Sequence, residues 1–312
     1  MNNNLIVRIS NGLGNQLFIY ASAFGLAKNM GRNLLIDNQT SFEATQNISE
    51  YNLNSFNLTS SIAPENLMFK GLKGYLKRKF LKKSDRFKKF KSFFIEKKDK
   101  KKITFYDNSF INNNYSKNLF LEGHFESEKY FKQYENEIFK EFEFKNSFFD
   151  KNNKYLDDIK NSNSVSICIR QNRFNAEKKS KNIKKNIDKS WKFTLEQIKY
   201  TKIAIKNIKK KVDNPKFFLW SDDFNNLNSF FNEDEFTRII NPINEKNLMD
   251  FYLMTFAKHY IVAPTSYHWW GAYLSKNRKN SIIMRPSDEF FNDFYLNNKD
   301  FWPSSWEKIS IS

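Results

Sequence analysis

The stretch Leu5-Ile6-Val7-Arg8-Ile9-Ser10-Asn11-Gly12-Leu13-Gly14-Asn15-Gln16-Leu17-Phe18-Ile19-Tyr20-Ala21 decides the fold. Leu5–Ser10 is short, apolar and β-branched, which predicts a strand. Asn11–Gly14 reads as a tight turn. Leu17, Tyr20, Ala21, Phe24 and Ala27 then recur at helical spacing, so a helix runs from Asn15 to about Met30. Gly31 is placed to end it, and Asn33–Asp37 reads as a second strand. A strand, glycine loop, helix and strand in that order open a parallel α/β sheet.

The second half repeats the plan. Val165–Arg170 is a strand, and Leu195, Ile198, Ile205 and Ile208 mark an amphipathic helix. Lys216–Trp220, Arg238–Ile240, His259–Ala263 and Ser281–Met284 read as strands. Asn247–Phe256 and Tyr267–Ser275 read as helices. Leu119–Glu122 is a strand of the first half and Ser127–Phe139 a helix. Lys145–Asn163 is polar and reads as a linker. At roughly 150 residues per domain, the 312 residues suit two Rossmann-like domains, 1–155 and 156–312.

Composition narrows the function. Aromatic residues make up 17% of the chain, with 34 Phe, which is ample for buried cores and excludes wholesale disorder. With Cys168 as the one cysteine, no internal disulfide or cysteine zinc cage can form. Three histidines, at 124, 259 and 268, make a His-rich metal site unexpected. Neither a secretory leader nor a transmembrane run is evident, so the expected location is the cytoplasm.

The net charge of +18 is concentrated. Residues 70–102 hold 16 Lys and Arg against three acids, a net +13. The rest of the chain is near neutral. Phe80, Phe87, Phe90, Phe93 and Phe94 interleave with these lysines, which predicts an amphipathic helical insertion in the first domain.

In parallel α/β sheets ligands bind beyond the carboxyl ends of the strands. Four loops lie there. The first holds Gly12, Gly14, Asn15 and Gln16, and reads equally as a ligand loop or a plain turn before a helix. In the second, Arg170 and Arg173 follow an apolar strand, where an arginine can grip phosphate bidentately or form a surface ion pair. The third holds Asp222 and Asp223, which could bind a metal diphosphate, accept from a nucleobase edge, or cap the next segment. Thr265 and Ser266 of the fourth open a helix that carries His268. They form an anion site or an ordinary cap. Trp269 and Trp270 read as core, and Cys168 as a small hydrophobe within its strand.

Taken together, these loops resemble glycosyltransferase family 11, the α-1,2-fucosyltransferases. Asn11–Ala21 is similar to that family's G-G-L-G-N-Q-L-F-Q-Y-A opening, and Leu121–Phe131 to its L-x-G-Y-x-Q-S-x-K-Y-F segment. Phe217–Asp223 resembles F-F-x-F-S-D-D. Asp250–Leu274 resembles the family's later stretch ending in W-W-G-A-W-L. The family's H-x-R-R-G-D appears as Cys168-Ile169-Arg170-Gln171-Asn172-Arg173, which keeps the first arginine only.

The resemblance implies a GT-B-like architecture, two Rossmann-like domains facing a cleft, and an inverting transfer of L-fucose from GDP-fucose without metal or cofactor. The expected acceptor is O2 of galactose on a glycan. By the resemblance, Arg170 would grip the β-phosphate of GDP, Thr265 and Ser266 would support the diphosphate, Asp222 or Asp223 would read guanine, and Asn15 and Gln16 would face the sugar. Position alone adds Arg173, in the Arg170 loop where the family has an acid, and His268, on the first turn of the helix after the fourth loop, as candidate ligand residues. Glu177 is the candidate base. The altered loop at 168–173 leaves open a transferase of the same scaffold that uses another nucleotide sugar. A third reading has residues 70–102 binding an anionic membrane or nucleic acid. The membrane version would dock the enzyme on the inner face beside a lipid-linked acceptor for polysaccharide synthesis, and nucleic acid is not the expected partner.

Overall fold

The computed structural model describes all residues except 1–2, 45–49, 102, 146–152, 175–182, 242–245, 295, 298 and 312. The chain divides into two compact units, Met1–Phe148 with Lys299–Trp302, and Phe149–Asn298 with Pro303–Ser312. The division falls earlier than 155/156, within 146–152. A short segment near the C-terminus returns to the first unit, where Asp300 accepts from Tyr106 N at 3.1 Å and pairs with Lys129.

The first unit holds a five-stranded parallel sheet among the described residues. Its strands are β1 (Asn4–Arg8), β2 (Asn33–Asp37), β3 (Ser61–Ile62), β4 (Lys91–Ile95) and β5 (Tyr115–Glu122), in the order β3-β2-β1-β5-β4. Helix α1 (Leu13–Asn29) is buried almost all round, from Leu13 to Ala27. It starts two residues before the expected Asn15, because Gly12 is its N-cap residue and the Gly12 carbonyl accepts from Asn15 N and Gln16 N. Gly31 stands in the left-handed region at φ 59°, and Arg32 N closes on Ala27 O as expected of a glycine helix stop. A short α2 (Thr40–Ala44) follows β2, with Asp37 capping it through Gln39 N and Thr40 N.

The basic insertion is part helix and part strand. Helix α3 (Gly71–Ser84) ends before Phe87, while Phe93 and Phe94 lie in edge strand β4 and are buried. The single amphipathic helix expected there is therefore only half right. Ser92, Phe93 and Phe94 are all buried, as in a strand covered on both faces, and pairing with β5 wins over helical spacing. The expected helix at 127–139 is likewise two short 3-10 turns followed by α4 (Glu135–Glu141).

The second unit has a six-stranded parallel sheet among the described residues. The strands are β6 (Asn163–Ile169), β7 (Pro215–Ser221), β8 (Phe236–Arg238), β9 (His259–Ile261), β10 (Ile283–Pro286) and β11 (Glu307–Ile309), in the order β11-β10-β9-β6-β7-β8. The helices are α5 (Leu156–Asn161), within the expected linker, α6 (Ile183–Ile208), α7 (Lys246–Met254) and α8 (Ser266–Tyr273). Val165, Ile167 and Ile169 of β6 pack with Phe193, Ile198 and Ile205 of α6, while Ser164 and Ser166 are also buried. A central parallel strand is covered on both faces, which is why this one tolerates no alternation of exposed residues.

Candidate active site

In the second unit the loops after β6, β7 and β9 are tied to one another. Asp222 accepts from Gln171 N at 2.7 Å and Asn172 N at 3.0 Å. Ser221 Oγ donates to Ile169 O, and Gln171 Nε2 donates to Asp223 O and Asn225 O. Arg173 Nη1 donates to Pro264 O at 2.7 Å while its guanidinium lies 4.7 Å from the Phe193 ring centre. The three loops are thus one rigid edge.

Arg170 stands on that edge with its backbone clamped. Gln197 of α6 accepts from Arg170 N at 3.1 Å and donates back to Arg170 O at 2.9 Å. The side chain itself is exposed, and no hydrogen bond or ion pair of its guanidinium is found among the described residues. A fixed backbone bearing an exposed cation at a carboxyl strand end suits an anionic ligand.

Other expected donor-site residues have structural duties. Thr265 is buried, and its hydroxyl caps α8 by accepting from His268 N. Ser266 opens α8 as expected. His268 is fully buried and both ring nitrogens serve the protein: Nδ1 accepts from Ala263 N, leaving Nε2–H to donate to Ser166 Oγ at 3.1 Å. Burial pushes its pKa down to about 3, so the ring is neutral. It is a bolt joining β6, the loop after β9 and α8. Trp269 and Trp270 are buried, as expected. Asp223 caps Asn225 N through Oδ1 and remains half-buried. Glu177 lies outside the described residues.

In the first unit the glycine loop is strained at Asn11, which has φ 64°, rather than at its glycines. Gln16 is fully buried: Nε2 donates to Asn11 O and Glu50 O, each at 2.7 Å, and Oε1 accepts from Asn52 N at 2.9 Å. It therefore fastens the loop and does not face outward. Asn15 is half-buried on the first turn, Gly14 is buried beside it, and Gly12 is exposed.

Sequence reasoning missed a cluster here. Glu96, just past β4, accepts from His124 N at 3.0 Å and Phe125 N at 2.7 Å. Asn11 Nδ2 donates to His124 Nε2 at 2.7 Å. Gly123 adopts φ 154°, and a Cβ there would collide with Glu96, so glycine is required for this approach. Burial raises the Glu96 pKa against the two backbone N–H bonds, and burial lowers that of His124. Nearby, burial pushes Glu122 up, but Arg78 and Lys82 outweigh it and hold the carboxylate below its ordinary value. Burial lowers the pKa of Arg8 at the end of β1. The missed signal is that Glu96 and His124 follow adjacent parallel strands, which can be seen only once β4 is recognised. Among the described residues, no three His, Cys, Asp or Glu side chains gather as metal ligands.

The family model of Glycosyl transferase family 11 matches residues 4–309. The chain belongs to glycosyltransferase family 11. Membership of this fucosyltransferase family makes the chain a glycosyltransferase. An α-1,2-colitosyltransferase of Escherichia coli is 26% identical over 98% of this chain and 98% of its own length. Among solved structures, a variant of Arabidopsis thaliana FUT1 in complex with GDP aligns with a TM-score of 0.50 at 13% identity, covering 92% of this chain and 71% of that one. That likeness is one of fold, the two-sheet α/β architecture of GT-B type. The fucosyltransferase NodZ from Bradyrhizobium aligns with a TM-score of 0.48 at 13% identity over 92% of this chain and 96% of its own.

Proposed function

We propose that this family 11 member transfers L-fucose from GDP-fucose to a glycan hydroxyl, O2 of galactose, with inversion and without a metal. The observation that carries the proposal is Arg170, an exposed guanidinium on a clamped backbone at the carboxyl edge of the second sheet. In the proposed step the acceptor oxygen attacks the fucose anomeric carbon, the bond to the β-phosphate breaks, and GDP leaves with the bonding pair. Arg170 stabilises the charge that builds on the diphosphate. The α8 N-terminus at Ser266 adds its dipole, Arg173 keeps the loop after β6 against Pro264, and Asp223 is the carboxylate proposed to read the guanine edge.

The acceptor hydroxyl must lose a proton. Glu96 is the proposed base, in place of Glu177. Its raised pKa and its two backbone N–H anchors suit a positioned proton acceptor. Asn15, on the glycine loop, is proposed to contact the sugar. The acceptor is proposed to be lipid-linked, with the enzyme acting on the cytoplasmic side.

A second reading keeps the scaffold and changes the donor to a colitosyl nucleotide. It is favoured by the colitosyltransferase relative and by the altered loop Cys168–Arg173. Transfer assays with GDP-fucose and GDP-linked colitose separate the two. Faster transfer of fucose supports the first reading, and transfer of colitose alone replaces it. Failure of both donors, with retained fold, refutes the family-based proposal.

A further inference from the structure

We propose that α3 is a docking element for the surface of an anionic lipid bilayer. The protein holds this helix by its charged face. Gly74 lies so close to Phe69 that a Cβ would collide with the Phe69 backbone. Arg78 and Lys82 turn inward to Glu122, and Leu81 is half-buried between them in sequence. Asp85, just after the helix, accepts from Ser92 N and Phe93 N at 2.8 Å. The charged residues therefore hold α3 to the protein, the reverse of an ordinary surface helix.

The outward face is apolar. Leu72, Leu76 and Phe80 recur every four residues, so they lie along one stripe, and they are 74%, 54% and 71% exposed. Tyr75 flanks the stripe at 53% exposure, and Phe87 beyond the helix is 89% exposed. Among the described residues nothing covers them. Lys73 and Lys77 border one side of the stripe at helical spacing, and Lys79 and Lys83 the other. No ion pair of these four is found among the described residues. Leucine and phenylalanine at the centre with free lysines alongside is the composition of a helix that lies in the interfacial plane of a membrane.

Charge selects the occupant. The segment 70–102 carries a net +13, so a second copy would meet this face with like charge. An anionic bilayer offers an apolar layer for Leu72, Leu76 and Phe80 and phosphate headgroups for the lysines. The 14-residue helix is about 21 Å long, enough to lie along the surface and too short to cross it. No helix among the described residues is long and apolar enough to span a membrane.

The test uses the full chain with vesicles of phosphatidylcholine alone or with phosphatidylglycerol added, read by co-sedimentation. Binding is expected to the anionic vesicles only and to weaken with salt. Substituting Lys79→Gln together with Lys83→Gln should lower the partition constant roughly 25-fold, about fivefold per lysine. Substituting Leu76→Gln together with Phe80→Gln should lower it about tenfold or more. Both pairs are exposed and outside the proposed transfer site, so circular dichroism and transfer to a soluble acceptor should be unchanged. Equal binding to neutral and anionic vesicles, or wild-type binding by both double variants, overturns the proposal. So does a lipid-free dimer that the Leu76/Phe80 variant dissolves, since a second copy would then own this face. Vesicle binding does not depend on donor identity, so its failure leaves the transferase reading intact.

Discussion

Replacing His268 by alanine tests whether this residue belongs to the core or to the donor. Both ring nitrogens are bonded in a fully buried site, to Ala263 N and Ser166 Oγ. Truncation orphans two buried polar groups at about 1–3 kcal/mol each and leaves a cavity, so the loss is about 5 kcal/mol at pH 7.5. The pH dependence is more diagnostic. The folded pKa is about 3, below the unfolded value of about 6.5. A depressed histidine stabilises fully above the unfolded pKa and loses that stability as pH falls toward the folded one. Wild type therefore loses about 2.7 kcal/mol from this ring between pH 7.5 and 4.5, at ~1.4 kcal/mol per unit, and the variant loses none. The gap between them should narrow from about 5 to about 2 kcal/mol. Carboxylate effects are shared and cancel. Urea melts followed by tryptophan fluorescence suit the measurement, because Trp191, Trp220, Trp269, Trp270 and Trp306 all lie in the second unit. A gap that stays constant with pH, or a near-normal melt with lost GDP binding, refutes the assignment of His268 to the core.

Three further variants separate contact from support. Glu96→Gln should slow transfer about 10²–10⁴-fold and remove the acidic limb of the kcat profile. In wild type that limb lies above the ordinary carboxylate value of 4.5, because burial raises Glu96 and activity needs it deprotonated. An unchanged profile would dismiss it as base. Gln16→Leu should cost about 2–4 kcal/mol in a thermal or urea melt, because Asn52 N and two carbonyls lose their partner; normal stability with impaired turnover would return Gln16 to the sugar. Asp222→Ala should weaken all nucleoside diphosphates alike in calorimetry, since its carboxylate holds Gln171 N and Asn172 N. Selective loss of guanine nucleotides would give it the base-reading role instead.

The parallel strands were legible because Leu5–Ser10, Asn33–Asp37 and Val165–Arg170 are short apolar runs bounded by turn residues. The loops that form the second-unit edge were legible for the same reason, since a carboxyl strand end can be read from the strand. The division of labour within those loops was not. Asp222, Thr265, His268 and Gln16 carry polar groups that serve a ligand or the protein's own backbone equally well, and only three-dimensional proximity decides. Glu96 was hidden because β4 lies inside a lysine-rich stretch whose Phe spacing imitates a helix. The outward stripe of α3 was hidden because amphipathy says where two faces lie and not which one the protein covers.

Arg170 carries the donor assignment, and calorimetric titration of wild type and Arg170→Ala with GDP and GDP-fucose, chelator present, is the decisive experiment. Wild type should bind both ligands selectively and the variant should lose about 2 kcal/mol or more, the worth of charge-assisted bonds to phosphate, with the melt unchanged. Equal affinity in the two proteins would contradict it.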